Sequence, residues 1–438
     1  MNIDALRAAD NKHLWHPYTD QVTFEAEPYT CIERAEGVYL HTVDGRKLYD
    51  GIASWWAVAL GHSHPKVIAA LREQAGILQH CIVGNMSHPK VVMLAERLAA
   101  LAPGDLNYSY FAADGSSATE AALKMAVQYW SYSGRPEKTQ FVGLEEGYHG
   151  DTLGAIGAGY VSWFHEPYEA LVKPALRGPS PFAPCNSGDP AEEEAADAAF
   201  AAMEALVVPK ADTIAAVILE PLCQGAAGIR IYPPSYLKKV RQLCDDHDIL
   251  LICDEIAVGF ARTGARFACE LAGIVPDILC LGKALTAGYL PMSVAIASDK
   301  VFDAFRRPDD KARVFFDGHT YCGNPVTSAV ALAALDVMDE LGFPESCAPR
   351  YAQLQAGMEA IGTLEGVAYQ KSLGLIGMCA ISEAAGGAAM ARAICIKANA
   401  LGLFIRPLGD VLYLWPPLTS TEEELGAMIR ILHESIAS

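Results

Sequence analysis

Four short runs, QFVGLE, AAVILEP, ILLICDE and DILCLG, are almost continuously apolar, and helical stretches such as SATEAALKMAVQYWSYSG and PKVIAALREQAGIL occur between and before them. A strand that is apolar on both faces has to be covered on both faces. Alternation of such strands with helices predicts an α/β domain built on a mostly parallel central sheet. We expect this large domain over residues 61–330. Residues 1–60 have a different texture, with short alternating or aromatic-rich pieces, and the DG of YLHTVDGRKLYDG reads as a hairpin turn. A long helix is expected to begin near Pro325, and the last hundred or so residues mix short β-like pieces (GLIGMCAIS, DVLYLWPPL) with helices. Residues 1–60 and 331–438 are therefore expected to combine into a smaller α+β domain. The polar segment CNSGDPAEEEAAD reads as a surface loop leading into a helix.

The chain has 438 residues, 52% hydrophobic and only 19% charged, which suits a well-buried globular protein and leaves little room for disorder. Lys and Arg number 33 against 52 Asp and Glu, a net charge of −19, which repels nucleic-acid phosphates and anionic lipid surfaces. Neither nucleic acid nor a membrane is an expected partner. None of the twelve cysteines forms a C-x-x-C pair, and most sit in apolar runs, so reduced thiols and a cytoplasmic location are expected. No apolar stretch reaches the roughly 18–20 residues of a membrane helix, and MNIDALRAADNKHLW does not read as a secretory signal.

Chemistry concentrates where apolar runs end. Ligands of open α/β sheets bind at the carboxyl ends of the strands. ILLICDE puts Asp254 at such an end, where it is either a cap, a structural ion pair or a functional carboxylate. DILCLGKAL puts Lys283 there, either an ordinary lysine or a desolvated amine able to form a Schiff base. A Schiff-base lysine with a carboxylate for a pyridinium nitrogen is the protein side of pyridoxal phosphate (PLP) chemistry. YFAADGSSATEAALK supplies Gly115 and Ser116 at a helix start, an ordinary N-cap or a phosphate cradle. EEGYHGDT supplies Tyr148 between glycines, a core aromatic or a ring that stacks on a flat cofactor. His62 and His64 of GHSHP lack a ligand set at metal-binding spacing, so no metal is expected.

These pieces stand in order with LEPLCQGAAG, CDEIAVGFARTG, LGKALTAGYLP and DGHTYCGNP, and over essentially its whole length the chain resembles the class III aminotransferases. The resemblance implies the PLP-dependent transferase fold of type I and pyridoxal 5'-phosphate as cofactor. It implies that Lys283 carries the cofactor and shuttles the proton, that Asp254 keeps the pyridine nitrogen protonated, and that Tyr148 stacks on the ring. Gly115 and Ser116 would hold the phosphate together with Thr320 from a second subunit, which implies a homodimer with shared active sites. Tyr18, Trp55, Trp56 and Tyr413 would line a substrate tunnel, with Asp151 near its mouth and Arg406 binding a substrate carboxylate. Without the family, the tryptophan pair is equally a piece of core. Adjacent residues on a strand face opposite ways, so only one tryptophan lines a tunnel there unless the backbone is irregular. Arg262 of GFARTG is expected near the active-site base or in a surface salt bridge.

Within the family, LWHPYT, SWWAV, GYHGDT and IRPLGDVLYLWPP resemble members of biotin synthesis that convert 8-amino-7-oxononanoate to 7,8-diaminononanoate. Relatives that use 2-oxoglutarate read EPIQGEAG, with a glutamate that neutralises the carboxylate-binding arginine, whereas this chain has Ala226 at that point. Arg406 is then expected to stay free in both half-reactions. For the amino donor, the tryptophan pair favours S-adenosylmethionine, while His319 in place of a proline and GYLP at 288–291 resemble versions that use lysine. A broad ω-amine transaminase, a PLP aminomutase and a PLP-fold protein with a binding role remain as alternatives.

Overall fold

The computed structural model describes residues 2–306 and 312–437. After helices Ile3–His13 and Gln21–Ala26, strands β1 (Ile32–Glu36), β2 (Tyr39–Thr42) and β3 (Lys47–Asp50) form an antiparallel meander. The expected DG turn joins β2 to β3. Gly45 takes φ +86° there and donates its N–H to the Thr42 carbonyl at 3.0 Å, a backbone conformation open mainly to glycine.

The central sheet comprises β4 (Leu106–Ala112), β5 (Gln140–Leu144), β6 (Leu176–Gly178), β7 (Ile214–Leu219) and, after a short hairpin of β8 (Cys223–Gln224) and β9 (Arg230–Ile231), β10 (Leu250–Asp254), β11 (Ile278–Leu281) and β12 (Ser293–Ser298). Its order is β4-β12-β11-β10-β7-β5-β6, and only β12 runs against the others. The four apolar runs are β5, β7, β10 and β11. Their period of two distributes side chains to two separate cores. Leu251, Cys253, Val217, Leu219, Leu279 and Leu281 belong to one core, and Leu250, Ile252, Ala216, Ile218, Ile278 and Cys280 to the other. Coverage of both faces is what makes each run continuously apolar.

Helix Gly115–Tyr132 covers the second core, with Ala118, Ala121, Ala122 and Ala126 letting it lie close to the strands. The first core is closed by helices that include Pro65–Ala75, Pro89–Leu101 and Pro325–Glu340. The last begins where the sequence predicts, with Asn324 accepting from the N–H groups of Val326 and Thr327. It runs through residue 330 and packs on the two helices before it. Beyond it, β13 (Val367–Leu373), β14 (Ile376–Ile381), β15 (Leu403–Phe404) and β16 (Val411–Leu414) follow, with β13-β14-β16 an antiparallel sheet. β15 pairs in parallel with β3, so the two ends of the chain share a sheet. Among the described residues no helix is long and apolar enough to cross a membrane, and all twelve cysteines are free thiols.

The carboxylate of Asp277 locks β10 to β11. It accepts the Leu251 N–H and Arg241 Nη1, both at 2.8 Å, and Lys300 Nζ lies 3.5 Å away. The Asp277 backbone donates to Leu251 O at 2.9 Å. Asp277→Ala would strand the buried Leu251 N–H and leave half-buried Arg241 with only the exposed Asp245 at 2.8 Å, and we expect a loss of about 2 kcal/mol in urea denaturation. A loss below about 1 kcal/mol, the value of an exposed pair, would contradict this account of the lock.

Candidate active site

The carboxyl ends of β4, β5, β7, β10 and β11 meet at one edge of the sheet. A cavity of about 220 Å³ opens there, and Trp56, Gly115, Ser116, Tyr148, Asp254 and Lys283 all line it. The structure therefore brings together six residues singled out in the sequence.

Asp254 ends β10 and is only 5% exposed. Its Oδ2 accepts His149 Nδ1 at 2.8 Å and its Oδ1 accepts the Ile256 N–H at 3.1 Å. An imidazole N–H thus compensates the burial of this carboxylate. Lys283 follows β11 at φ +41° and opens a short 3₁₀ turn. Burial pushes its ammonium below the ordinary lysine value, against the opposing pull of Asp254 and Glu220. Among the described residues no carboxylate lies within ion-pair distance of Lys283, and a lysine so placed is a ready nucleophile.

Asp114 caps helix Gly115–Tyr132 by accepting the Ser117 N–H at 3.0 Å. The N–H groups of Gly115 and Ser116 have no protein acceptor among the described residues, and they stand at the positive end of an 18-residue helix. Loop 147–151 closes over this end. A Cβ on Gly150, at φ +114°, would lie 2.0 Å from Ser116 Oγ, so only glycine fits. Tyr148 is anchored twice: its N–H donates to Glu220 Oε1 at 2.9 Å and its hydroxyl to Asp151 Oδ2 at 3.0 Å. Glu220 also accepts the Gly225 N–H at 2.9 Å, which ties the β8–β9 hairpin to the site. Burial pushes the Glu220 carboxyl up to about 7, despite the counteracting pull of His149.

The donor set of this cavity is an anion-accepting helix end, a buried carboxylate, an amine and an aromatic face. It matches the four needs of a phosphorylated pyridine aldehyde. A phosphate, a ring nitrogen, a carbonyl carbon and a flat ring each have a counterpart.

Of the expected tunnel residues, Trp56 lines the cavity, Tyr413 is fully buried behind it, and Tyr18, Trp55 and Arg406 cluster outside it. Trp56 lines the cavity, lies 6.3 Å from Tyr413 ring to ring, and stacks on Trp415 at 4.9 Å. Trp55 faces the rim, with Tyr18 edge-on at 6.0 Å and the Arg406 guanidinium 4.8 Å from its ring. Tyr18 donates its hydroxyl to Asp151. Burial alone would raise the Asp151 carboxyl, but nearby His165 and the hydrogen bonds from Tyr18 and Tyr148 outweigh it and hold it low. The strand geometry considered for the tryptophan pair is not what forms: residues 53–56 make a left-handed turn, from which Trp56 enters the cavity and Trp55 meets Arg406 outside it.

One expectation meets a different environment. Arg262 is neither beside the cavity nor in a surface salt bridge. It is 2% exposed, and its Nη1 donates to the carbonyls of Leu375 at 3.0 Å and Pro416 at 2.8 Å. Burial without a carboxylate pushes its guanidinium down to about 9. Thr320 and His319 are exposed, and Thr320 does not line the cavity of its own chain.

Sequence reading missed His149 and Glu220. Glu220 carries the same signal as Asp254, an acidic residue directly after an all-apolar strand. His149 gives no such sign, because its pairing with Asp254 spans 105 positions and depends on the glycine-bounded loop.

The description Aminotransferase class-III matches residues 23–436. The chain is 36% identical, over 99% of its length and 98% of the relative, to adenosylmethionine-8-amino-7-oxononanoate aminotransferase of Geobacter sulfurreducens. It superposes on the crystal structure of the enzyme of that name from Methanocaldococcus jannaschii with a TM-score of 0.91, at 30% identity and covering 99% of both chains. It is also similar to a PLP-bound amine transaminase from an uncultivated Pseudomonas species, with a TM-score of 0.90 at 32% identity, covering 97% of this chain and 98% of that one.

Glu220 sets a pH dependence, and Glu255 adds to it. Glu255 is fully buried, accepts the N–H groups of Ala268 and Cys269, and is also pushed up to about 7 by burial. Folding raises both pKa values, so the folded state holds protons that the unfolded chain releases. Their stabilising contribution is complete below about pH 4.5 and lost as pH rises through about 7. We expect the melting temperature of cofactor-free Glu220→Gln to fall less steeply than wild type between about pH 5 and 8. Parallel curves would show that Glu220 is ionised throughout.

Proposed function

The chain belongs to the class III aminotransferases, and from that premise we propose that it moves an amino group from S-adenosylmethionine to 8-amino-7-oxononanoate, giving 7,8-diaminononanoate, with pyridoxal 5'-phosphate as cofactor. When bound, that cofactor supplies an electron-withdrawing ring that accepts an amino group and gives it back. The remaining work falls to the chain. The free N–H groups of Gly115 and Ser116, with Ser116 Oγ, would hold the phosphate. Asp254, oriented by His149, would hold a proton on the ring nitrogen, and Tyr148, fixed by Glu220 and Asp151, would cover the ring. Lys283 Nζ takes the proton from the α carbon of the donor in the first half-reaction and delivers one to C7 of the acceptor in the second.

One observation carries the choice of substrate. Arg406 stands at the outer end of the Trp55–Trp56 wall with no acidic partner among the described residues, and the hairpin turn beside Trp56 carries Ala226 rather than a glutamate. A free guanidinium beyond an apolar wall suits a chain with a carboxylate at its far end, because arginine binds carboxylates with two parallel bonds. The names of the relatives support S-adenosylmethionine as donor. The similarity to an amine transaminase supports a second reading, a broad ω-amine transaminase on the same site.

A second copy of the chain is part of the proposal. Ile77, Met86, Phe316 and Tyr321 are exposed on segments that adjoin through Asn324 Nδ2 and Gln79 O at 2.8 Å. Thr320 is exposed beside Tyr321 on one of these segments, from which it would reach the phosphate of the partner.

The test is a donor screen on PLP-loaded enzyme with 8-amino-7-oxononanoate as acceptor. We expect diaminononanoate to form at least about tenfold faster with S-adenosylmethionine than with lysine or simple amines, a barrier difference of about 1.4 kcal/mol. Light scattering of the same preparation is expected to give twice the chain mass. Turnover with simple amines and pyruvate alone would replace this reading with the second one.

A further inference from the structure

The backbone at the start of the tryptophan wall is strained. Ala53, Ser54, Trp55 and Trp56 take φ values of +47°, +45°, +67° and +73°, a full left-handed turn without a glycine. Each such residue is unfavourable relative to right-handed backbone, and runs of them do not persist unless their surroundings hold them. The turn also has a geometric effect. Neighbouring side chains on a strand point to opposite faces, whereas here Trp56 enters the cavity and Trp55 meets Arg406 at the rim.

The side chain that holds the turn is Asp50, which is completely buried. Its Oδ1 accepts the Ser54 N–H at 2.9 Å, and its Oδ2 accepts the Ser54 hydroxyl at 2.7 Å and His62 Nε2 at 2.8 Å. His62 is itself fixed by paired backbone bonds with Gly37, at 2.7 and 3.0 Å. Trp415 N–H donates to Gly51 O at 2.7 Å, which brings the Trp415 ring under Trp56 with an interplanar angle of 24°. The Trp56 ring also lies 5.2 Å from Lys283 Nζ. Asp50 is not among the residues that line the cavity.

We propose that Asp50 is a positioning residue that clamps the left-handed turn through Ser54 and His62, and so fixes Trp56 against Trp415 and near Lys283 as the inner wall of the substrate site. The inference rests on the proposed role of Trp56 in binding the substrate chain. Asp50→Ala removes both acceptor oxygens and with them all three hydrogen bonds, whereas Asp50→Asn keeps the shape and can keep the contacts by exchanging donor and acceptor with the Ser54 hydroxyl and the imidazole.

The test compares both variants as holoenzymes. Asp50→Ala is expected to load with cofactor as wild type does, and to raise KM for 8-amino-7-oxononanoate about tenfold or more with kcat changed less than about threefold, the pattern of lost binding rather than lost chemistry. Asp50→Asn is expected to stay within about threefold of wild type in both constants. A second readout needs no substrate. The stacked Trp56–Trp415 pair should give an exciton couplet in the far-ultraviolet circular dichroism, identified by its loss in Trp56→Phe, and Asp50→Ala should weaken it. Ser54→Ala and His62→Ala each remove one arm, and they carry the test if Asp50→Ala does not fold. An unchanged couplet and KM in these variants would overturn the inference, and so would a loss of cofactor binding at unchanged KM. If the couplet responds but 8-amino-7-oxononanoate is no substrate, the clamp stands and the substrate assignment fails.

Discussion

Strands that leave the core in the same direction present their unpaired ends at one edge, and this constraint organises everything else in the molecule. With both faces of the sheet covered, β7, β10 and β11 have no place for a polar side chain along their length. Carboxylates and an amine can be held only where the strands stop. There Glu220, Asp254 and Lys283 come into mutual electrostatic reach, and the helix after β4 presents its free N–H groups to the same space. The site is therefore a direct consequence of the topology, and the Asp277 lock between β10 and β11 preserves the register that aligns two of its members.

Much of this is legible in the sequence, for a physical reason. An all-apolar strand followed by Asp254 or Lys283 is a local pattern, and so is a Gly-Ser helix start or an aromatic bounded by glycines. What is not legible depends on partners distant in the chain. The His149–Asp254 pair and the wall that joins Tyr18, Trp55 and Arg406 span long sequence separations. Arg262 is the converse case, since nothing in GFARTG shows that the arginine turns inward to the carbonyls of Leu375 and Pro416 and is satisfied by them. The left-handed turn at 53–56 has no glycine to announce it. Propensity there points away from the conformation that Asp50 and the surrounding packing impose.

The net charge of −19 also acquires a local meaning. An acidic surface gives no general attraction to anions, so a phosphate or carboxylate has to be taken by a few placed groups. We propose the helix end at Gly115 and Ser116 for the one, and for the other the guanidinium of Arg406, which has no acidic partner among the described residues. A cationic donor meets no such barrier.

The proposed amino transfer runs through the amine of Lys283, desolvated at the end of β11. The most direct test is Lys283→Ala, folded and supplied with pyridoxal phosphate. This protein is expected to lack the visible absorption of covalently attached cofactor and to form no diaminononanoate with any donor. A Lys283→Ala protein that retained that band and turned over at the wild-type rate would contradict it.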